Sequence, residues 1–222
     1  GKTGVNFNHY KNMFGVIRQP EFTFICPSFL ESLSNRDFLS GAAEMLKTFI
    51  IDENETYFEA VGLLSDMNME FCSRVAEGED EADVWPYCVE NYSSELLKLI
   101  AEAARVKAGV VSRDQFEDGE RRKLNLGHTF AHAIETIAQH RGDDITHGEA
   151  VAMGIILAAE LSGRLAKVDQ QWGEVCDFEL YQRLEDDFLS VGLPINCDYR
   201  IEDMADIMSR DKKAEVIDGP GD

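Results

Sequence analysis

The periodicity of apolar positions changes once along the chain. Residues 1 to 30 carry two short apolar runs, Met13 to Ile17 and Phe22 to Ile25, joined across Gln19-Pro20. Runs of this kind bounded by turn residues predict strands. From about Asn35 the apolar residues recur at intervals of three and four, which predicts helices. Phe38, Leu39, Ala42, Ala43, Leu46 and Ile50 draw one buried stripe over 36–51. One or two helices follow over 54–75 with Phe58, Leu63, Leu64 and Phe71 as core, and 77–86 reads as a loop. The next long helix covers 92–111, begins at Ser93 or Ser94, and buries Leu96, Leu97, Ile100, Ala103, Val106 and Val110. Leu124, Phe130, Ala131, Ile134 and Ile137 allow a helix over 124–140. The stretch 145–168 holds Ala150, Ala152, Gly154, Ala158 and Ala159, small residues that admit a partner helix closely, and it is expected at the centre. Helices over 177–191, stopped by Gly192-Leu193-Pro194, and over 201–209 complete a mainly α fold with a short β segment at its start.

Length, charge and cysteines narrow the class. The 222 residues fit one large domain or two small ones. A formal net charge of −21 argues against nucleic acid or an anionic membrane as partner, since both need a basic footprint. It leaves room for an anionic small molecule if cations gather locally, the candidates being Lys2, Lys11, Lys47, Lys107, Arg121 and Lys212. The acidic run 77–83 reads as solvated surface. No apolar run approaches the roughly 18 residues of a membrane span, and no signal peptide is read. Five cysteines, widely spaced and without a CxxC pair, point to reduced thiols in a cytoplasm. Gly1 is not a natural start, so an upstream portion is expected.

The chemistry concentrates in residues 121–149, which hold His128, His132, His140 and His147, four of the five histidines. At about 100° per residue, His128 and His132 share one helical face, and Arg121 and Asn125 fall within about 60° of it if the helix begins early enough. His147 stands where the next helix starts. HxxxH followed by a distant His is a reasonable ligand set for a divalent ion. A single such histidine more often packs or solvates; the set reverses that weighting. Thr129 occupies the place of the general-base Glu of HExxH, and no His is followed directly by Asp, which sets aside two familiar metal hydrolase patterns. His140 reads as a cation near the helix C-terminus. Glu44 and Lys47, three residues apart, read alone as an exposed ion pair.

LNLGHTFAHAIE followed by HGEAVAMG resembles the 3-dehydroquinate synthase family, with Ala131 where the family form has Gly. The GKT and KN elements at Lys2 and Lys11, GAAEMLK, the VKAGVV stretch, Glu117-Asp118-Gly119-Glu120-Arg121 and Asp211-Lys212-Lys213 extend the resemblance over essentially the whole chain. It implies that residues 1–30 are the tail of an NAD-binding domain and 31–222 an α-helical metal- and substrate-binding domain. It implies a metal site of Glu44, His128 and His147, holding zinc or cobalt and leaving Glu44 and His147 beside the substrate. It further implies substrate contacts from Lys2, Asn12, Lys47, Lys107, Arg121, Asn125 and Lys212, with Lys213 as alternative, and places Lys11 near the cofactor. Lys47, Glu117 and His132 are the implied catalytic residues, Glu117 as a proton-handling or orienting carboxylate and His132 as a general base or proton relay. The implied reaction turns 3-deoxy-D-arabino-heptulosonate 7-phosphate into 3-dehydroquinate and phosphate with NAD, in the shikimate pathway, in a cytoplasmic homodimer. Rival readings are another sugar phosphate cyclase, a related metal-dependent alcohol dehydrogenase, or a helical binding module. Cyclases acting on substrates without a carboxylate should lack some of Arg121, Asn125 and His132, all present here. No glycine-rich NAD-cradling turn occurs in these residues, so the chain alone is expected to be inactive.

Overall fold

The computed structural model describes residues 2–7, 10–52, 54–168 and 178–209; Lys212 and Lys213, and the side chains of Lys2, Lys11 and Asn12, lie outside the described residues. Strands β1 (Lys2–Phe7) and β2 (Tyr10–Ile17) form an antiparallel pair with Lys2 opposite Ile17 and Val5 opposite Phe14. The Met13 to Ile17 run is thus a strand, but its partner is upstream. Phe22 to Ile25 is not a strand, and Phe22 and Phe24 are exposed. Pro20 donates no ladder hydrogen bond and restricts Gln19, so the local pairing of 2–7 with 10–17 wins. A 3-10 turn, Pro27–Ser32, leads into the helices.

The helices are α1 (Asn35–Asp52), α2 (Thr56–Ala76), α3 (Glu81–Asn91), α4 (Ser93–Arg113), α5 (His128–Arg141), α6 (His147–Val168), α7 (Phe178–Val191) and α8 (Ile201–Met208). Three expectations need correction. The expected loop over 77–86 is mostly helix α3, although Pro86 lies inside it. An interior proline costs about 3 kcal/mol through its missing donor and ring clash. Here the Asp80 carboxylate caps the start by accepting from the Ala82 amide at 2.9 Å. Trp85 sits on Phe38 and Phe71, with ring centroids 4.7 and 5.9 Å away, and donates to the Leu30 carbonyl at 3.1 Å. Burial of one large aromatic with its polar atom satisfied outweighs the local penalty. In α2, Phe58 is exposed and Tyr57 takes the core position; in α4, Leu97 is exposed and Leu99 is buried. Each slip is of one or two residues around the helix, within the angular width of an apolar stripe.

Helix α6 is central, as its small residues predict. Every residue from Ala150 to Ile156 is buried, and α6 packs on α1, α5 and α7. Two glycines set its distances. A Cβ on Gly148 would lie 2.1 Å from the Ser40 carbonyl oxygen of α1, and one on Gly154 would lie 2.3 Å from the Gly127 carbonyl oxygen at the start of α5. These contacts fix the first two turns of α6 against the helices that carry the other candidate ligands. Gly192, with φ +91°, ends α7 in the left-handed conformation.

Candidate metal centre

Helix α5 starts later than its apolar pattern suggests. Gly127 has φ +74°, and a Cβ there would meet Ile155 at 2.7 Å, so the chain turns sharply and the helix begins at His128. Arg121 and Asn125 therefore lie on a separate 3-10 turn, Glu120–Asn125, and not on the helical line of His128 and His132. His132 stays on that line, its ring 5.7 Å from that of His128.

Three elements bring Glu44, His128 and His147 together. Glu44 projects from the middle of α1, His128 opens α5 and His147 opens α6. One ligand atom from each lies within 4.8 Å of the others. Nε2 of His128 is 3.4 Å and Nε2 of His147 is 3.7 Å from the same carboxylate oxygen, Oε1 of Glu44. Nδ1 of His128 faces the Leu126 carbonyl at 3.2 Å, and Nδ1 of His147 faces Oε1 of Glu135 at 3.1 Å. A carbonyl and a carboxylate only accept, so both Nδ1 atoms donate, and in the neutral rings both Nε2 atoms carry lone pairs. Three acceptors thus point at one another. Glu44 Oε1 is buried and has no hydrogen-bond partner, and an orphaned buried acceptor is costly. A divalent cation satisfies all three at once, and two imidazoles with one carboxylate form a zinc-type donor set.

The surroundings keep Glu44 and His128 in their binding forms. Burial raises the Glu44 carboxyl, but the Lys47 ammonium, 2.8 Å from Oε2, and the two histidines outweigh it and hold the carboxyl below its ordinary range. Burial lowers Lys47 more than Glu44 restores it, and Lys107 lowers it further. His128 is pushed down to about 4 by burial and by Lys47, which keeps it neutral at pH 7. Lys47 is 4% exposed, so the expected surface ion pair is an interior one.

A second group gathers on the turn before α5. The Asp114 carboxylate accepts from the backbone amides of Asp118, Gly119 and Arg121 at 3.0, 2.9 and 2.9 Å, and these bonds pull its pKa down to about 2. Glu117 is held at φ +69°, rare for a residue with a side chain, and its carboxylate accepts from Asn125 at 2.8 Å. Arg121 is buried and donates to the Gln115 carbonyl at 2.5 Å. This turn packs on α1 and α4. Lys107 is exposed on α4, close enough for its charge to act on Lys47.

Sequence reasoning missed the supporting residues. Arg36 makes two hydrogen bonds to Glu149, at 2.7 and 2.8 Å, and reaches Asp144 at 2.6 Å. Glu149 in turn accepts from the Thr146 amide at 2.8 Å, while its own amide donates to the Thr146 hydroxyl at 3.2 Å. This capping box was legible as Thr-x-x-Glu; the Arg36 partner, far away in sequence, was not. Among the described residues no helix is long and apolar enough to cross a membrane.

Comparison with known proteins places the chain in a family. The family described as 3-dehydroquinate synthase C-terminal matches residues 41–214, and that described as 3-dehydroquinate synthase N-terminal matches residues 1–40. The 3-dehydroquinate synthase of Dictyoglomus turgidum is 34% identical over 96% of this chain and 52% of its own length. That of Acaryochloris marina is 35% identical over 97% of this chain and 50% of its own. The chain spans about half the length of the curated relatives it matches. Two solved structures share the fold. A 2-epi-5-epi-valiolone synthase from Streptomyces hygroscopicus, with NAD+ and Zn2+ bound, has a TM-score of 0.63 at 22% identity over 94% of this chain and 50% of its own. A 2-deoxy-scyllo-inosose synthase complexed with carbaglucose-6-phosphate, NAD+ and Co2+ has a TM-score of 0.62 at 23% identity over 96% of this chain and 51% of its own. With a family match covering most of its residues, the chain belongs to the 3-dehydroquinate synthase family.

Proposed function

We propose that this chain is the metal- and substrate-binding part of an enzyme that converts 3-deoxy-D-arabino-heptulosonate 7-phosphate into 3-dehydroquinate and phosphate with NAD and a divalent metal, zinc or cobalt. The observation that carries the reading is the buried, unpartnered Oε1 of Glu44 facing two imidazole lone pairs. The curated relatives support the reaction, and the NAD+ with Zn2+ or Co2+ in the fold neighbours supports the cofactors. In this reading residues 1–30 belong with the NAD-binding part and 31–222 form the helical domain. The enzyme works in the cytoplasm as a homodimer.

Glu44, His128 and His147 would hold the ion, which supplies Lewis-acid polarisation of the substrate hydroxyl to be oxidised. Lys47 keeps the Glu44 carboxylate turned and charged while presenting an ammonium at the same place. Arg121 and Asn125 meet the substrate's carboxylate and hydroxyls, and Lys107 and Lys212 meet its phosphate, the three cations neutralising charge and all four fixing orientation. The family resemblance adds Lys2 and Asn12 as substrate-binding residues and Lys11 as a cofactor-binding residue. His132 takes or returns a proton at its imidazole beside His128, and Glu117, aligned by Asn125, supplies a second carboxylate for proton movement. The presence of Arg121, Asn125 and His132 together favours a substrate with a carboxylate over the other cyclase substrates.

The test is phosphate release from the heptulosonate by the protein with its NAD-binding part, metal-loaded, against His147→Ala and Glu44→Ala. Loss of release together with loss of bound metal in both variants is expected. Release that continues without metal, or that accepts a substrate lacking the carboxylate equally well, would overturn the proposal.

A further inference from the structure

We infer that Glu135 is a positioning residue for the metal centre, holding the His147 imidazole in the tautomer and rotation that turn Nε2 toward Glu44. The inference rests on the proposed metal site and goes beyond its three ligands. The backbone of His147 is already fixed. The Gly148 amide donates to the Ser40 hydroxyl at 2.9 Å, the Thr146–Glu149 capping box closes the first turn of α6, and Arg36 ties Glu149 to α1. What this leaves free is the ring itself. The His147 side chain is 45% exposed at the start of a helix and meets the His128 ring edge-on with centroids 5.4 Å apart, so packing alone does not set its torsions. Its Nδ1 contact is with Glu135, whose side chain is 19% exposed on α5 and comes from the same helix as His128.

The two imidazoles are treated alike by different means. His128 gives its Nδ1–H to the Leu126 carbonyl, a backbone group that no substitution removes. His147 gives its Nδ1–H to a side chain, which one substitution does remove. A carboxylate on the far nitrogen of a ligating histidine fixes the tautomer and raises the donor strength of the near nitrogen, and its loss weakens metal binding by about 10–100-fold. Without Glu135 the ring can swing to solvent or adopt the Nε2–H tautomer, which presents a proton to Glu44 in place of a lone pair.

Two readouts test this on the 222-residue chain. Zn2+ affinity is measured by competition with a chelating indicator for the unsubstituted chain, Glu135→Ala and Glu135→Gln. Long-range proton–nitrogen NMR of the histidine rings is recorded on the metal-free forms above pH 7. The expected result is Zn2+ binding weakened about 10–100-fold by Ala, and within a few-fold of the unsubstituted chain for Gln, whose amide oxygen accepts the same proton. The His147 ring should be the Nδ1–H tautomer in the unsubstituted and Gln forms and shift toward Nε2–H with Ala. Unchanged affinity or an unchanged tautomer in the Ala variant, or a Gln variant as weak as Ala, would overturn the inference. Failure of the unsubstituted chain to bind Zn2+ would instead sink the metal reading, and the tautomer would still decide whether Glu135 holds His147.

Discussion

Replacing Gly148 by alanine tests whether close approach of α6 to α1 builds the site. Gly148 is the second residue of α6, so the helix-interior preference for alanine over glycine, about 1 kcal/mol, favours the change only in part. The structure reverses the sign. The new Cβ would sit 2.1 Å from the Ser40 carbonyl oxygen and 2.3 Å from the Ser40 Cα, both backbone atoms of α1 that no side-chain rotation can move. The helices must separate, and overpacking of this kind costs about 1–3 kcal/mol. Separation also stretches the 2.9 Å bond from the Gly148 amide to the Ser40 hydroxyl and moves His147 away from Glu44. A net loss near 2 kcal/mol corresponds to a fall in melting temperature of about 4–8 °C for a chain of this size. Thermal melting followed by circular dichroism, with and without Zn2+, measures it. The metal-dependent rise in melting temperature should shrink in the variant along with the melting temperature itself. A variant that melts at or above the original and keeps its full metal-dependent rise would refute the argument, because helix propensity would then have won.

Other outcomes follow from the same geometry. Arg36→Lys should weaken metal binding nearly as much as Arg36→Ala, since an ammonium cannot reproduce the paired bonds to Glu149, and chelator competition would show it. The metal-free chain should lose stability as pH falls. His128 has its pKa lowered from 6.5 to about 4 on folding, so its contribution is complete above pH 6.5 and is lost progressively down to pH 4; Glu44, also lowered, keeps its share down to pH 4.5 and loses it as pH falls further. A melting-temperature profile that stays flat from pH 7 to 4, or one that His128→Asn leaves unchanged, would count against the buried neutral imidazole. Tyr57→Phe removes the hydroxyl bond to Asp187 at 2.8 Å, costing about 1 kcal/mol by denaturant titration while leaving Zn2+ affinity unchanged. Asp114→Ala should release the backbone of the 114–121 turn, raising KM for the substrate in the complete enzyme more than it lowers kcat, while Asp114→Asn restores part of the effect.

The helices and the ligand trio were legible for different reasons. Apolar periodicities identified α1, α2 and α4, because burial of a stripe dominates each of them, while small residues marked α6 and the Gly192-Leu193-Pro194 stop marked α7. Helix α3 was missed because its acidic run was read as solvated surface and Pro86 is a local signal against a helix, and the aromatic packing of Trp85 that overrides the proline is tertiary. The start of α5 was misplaced because the apolar positions from Leu124 to Ile137 were read as one helix, whereas the approach of Gly127 to Ile155 requires the left-handed turn. Glu44, His128 and His147 were singled out by family resemblance; spacing alone pointed to His128 and His132, and offered His147 only as a distant third. Glu135 lies in the same HTFAHAIE stretch, seven residues beyond His128. Its role depends on where α6 places His147, which no periodicity contains. Asp114 was equally invisible, being an ordinary acidic residue until the chain folds its amides around it.

The claim that these three side chains form one metal site is tested most directly by a crystal structure of the chain grown with Zn2+, with anomalous diffraction collected on both sides of the zinc edge. The account predicts one strong anomalous peak bound by a Glu44 oxygen and by Nε2 of both His128 and His147 at about 2.0–2.2 Å, with Glu135 still on Nδ1 of His147. An ordered domain in which the zinc is absent from this place at saturating metal, or is held by other residues while Glu44 keeps to Lys47 alone, would contradict it.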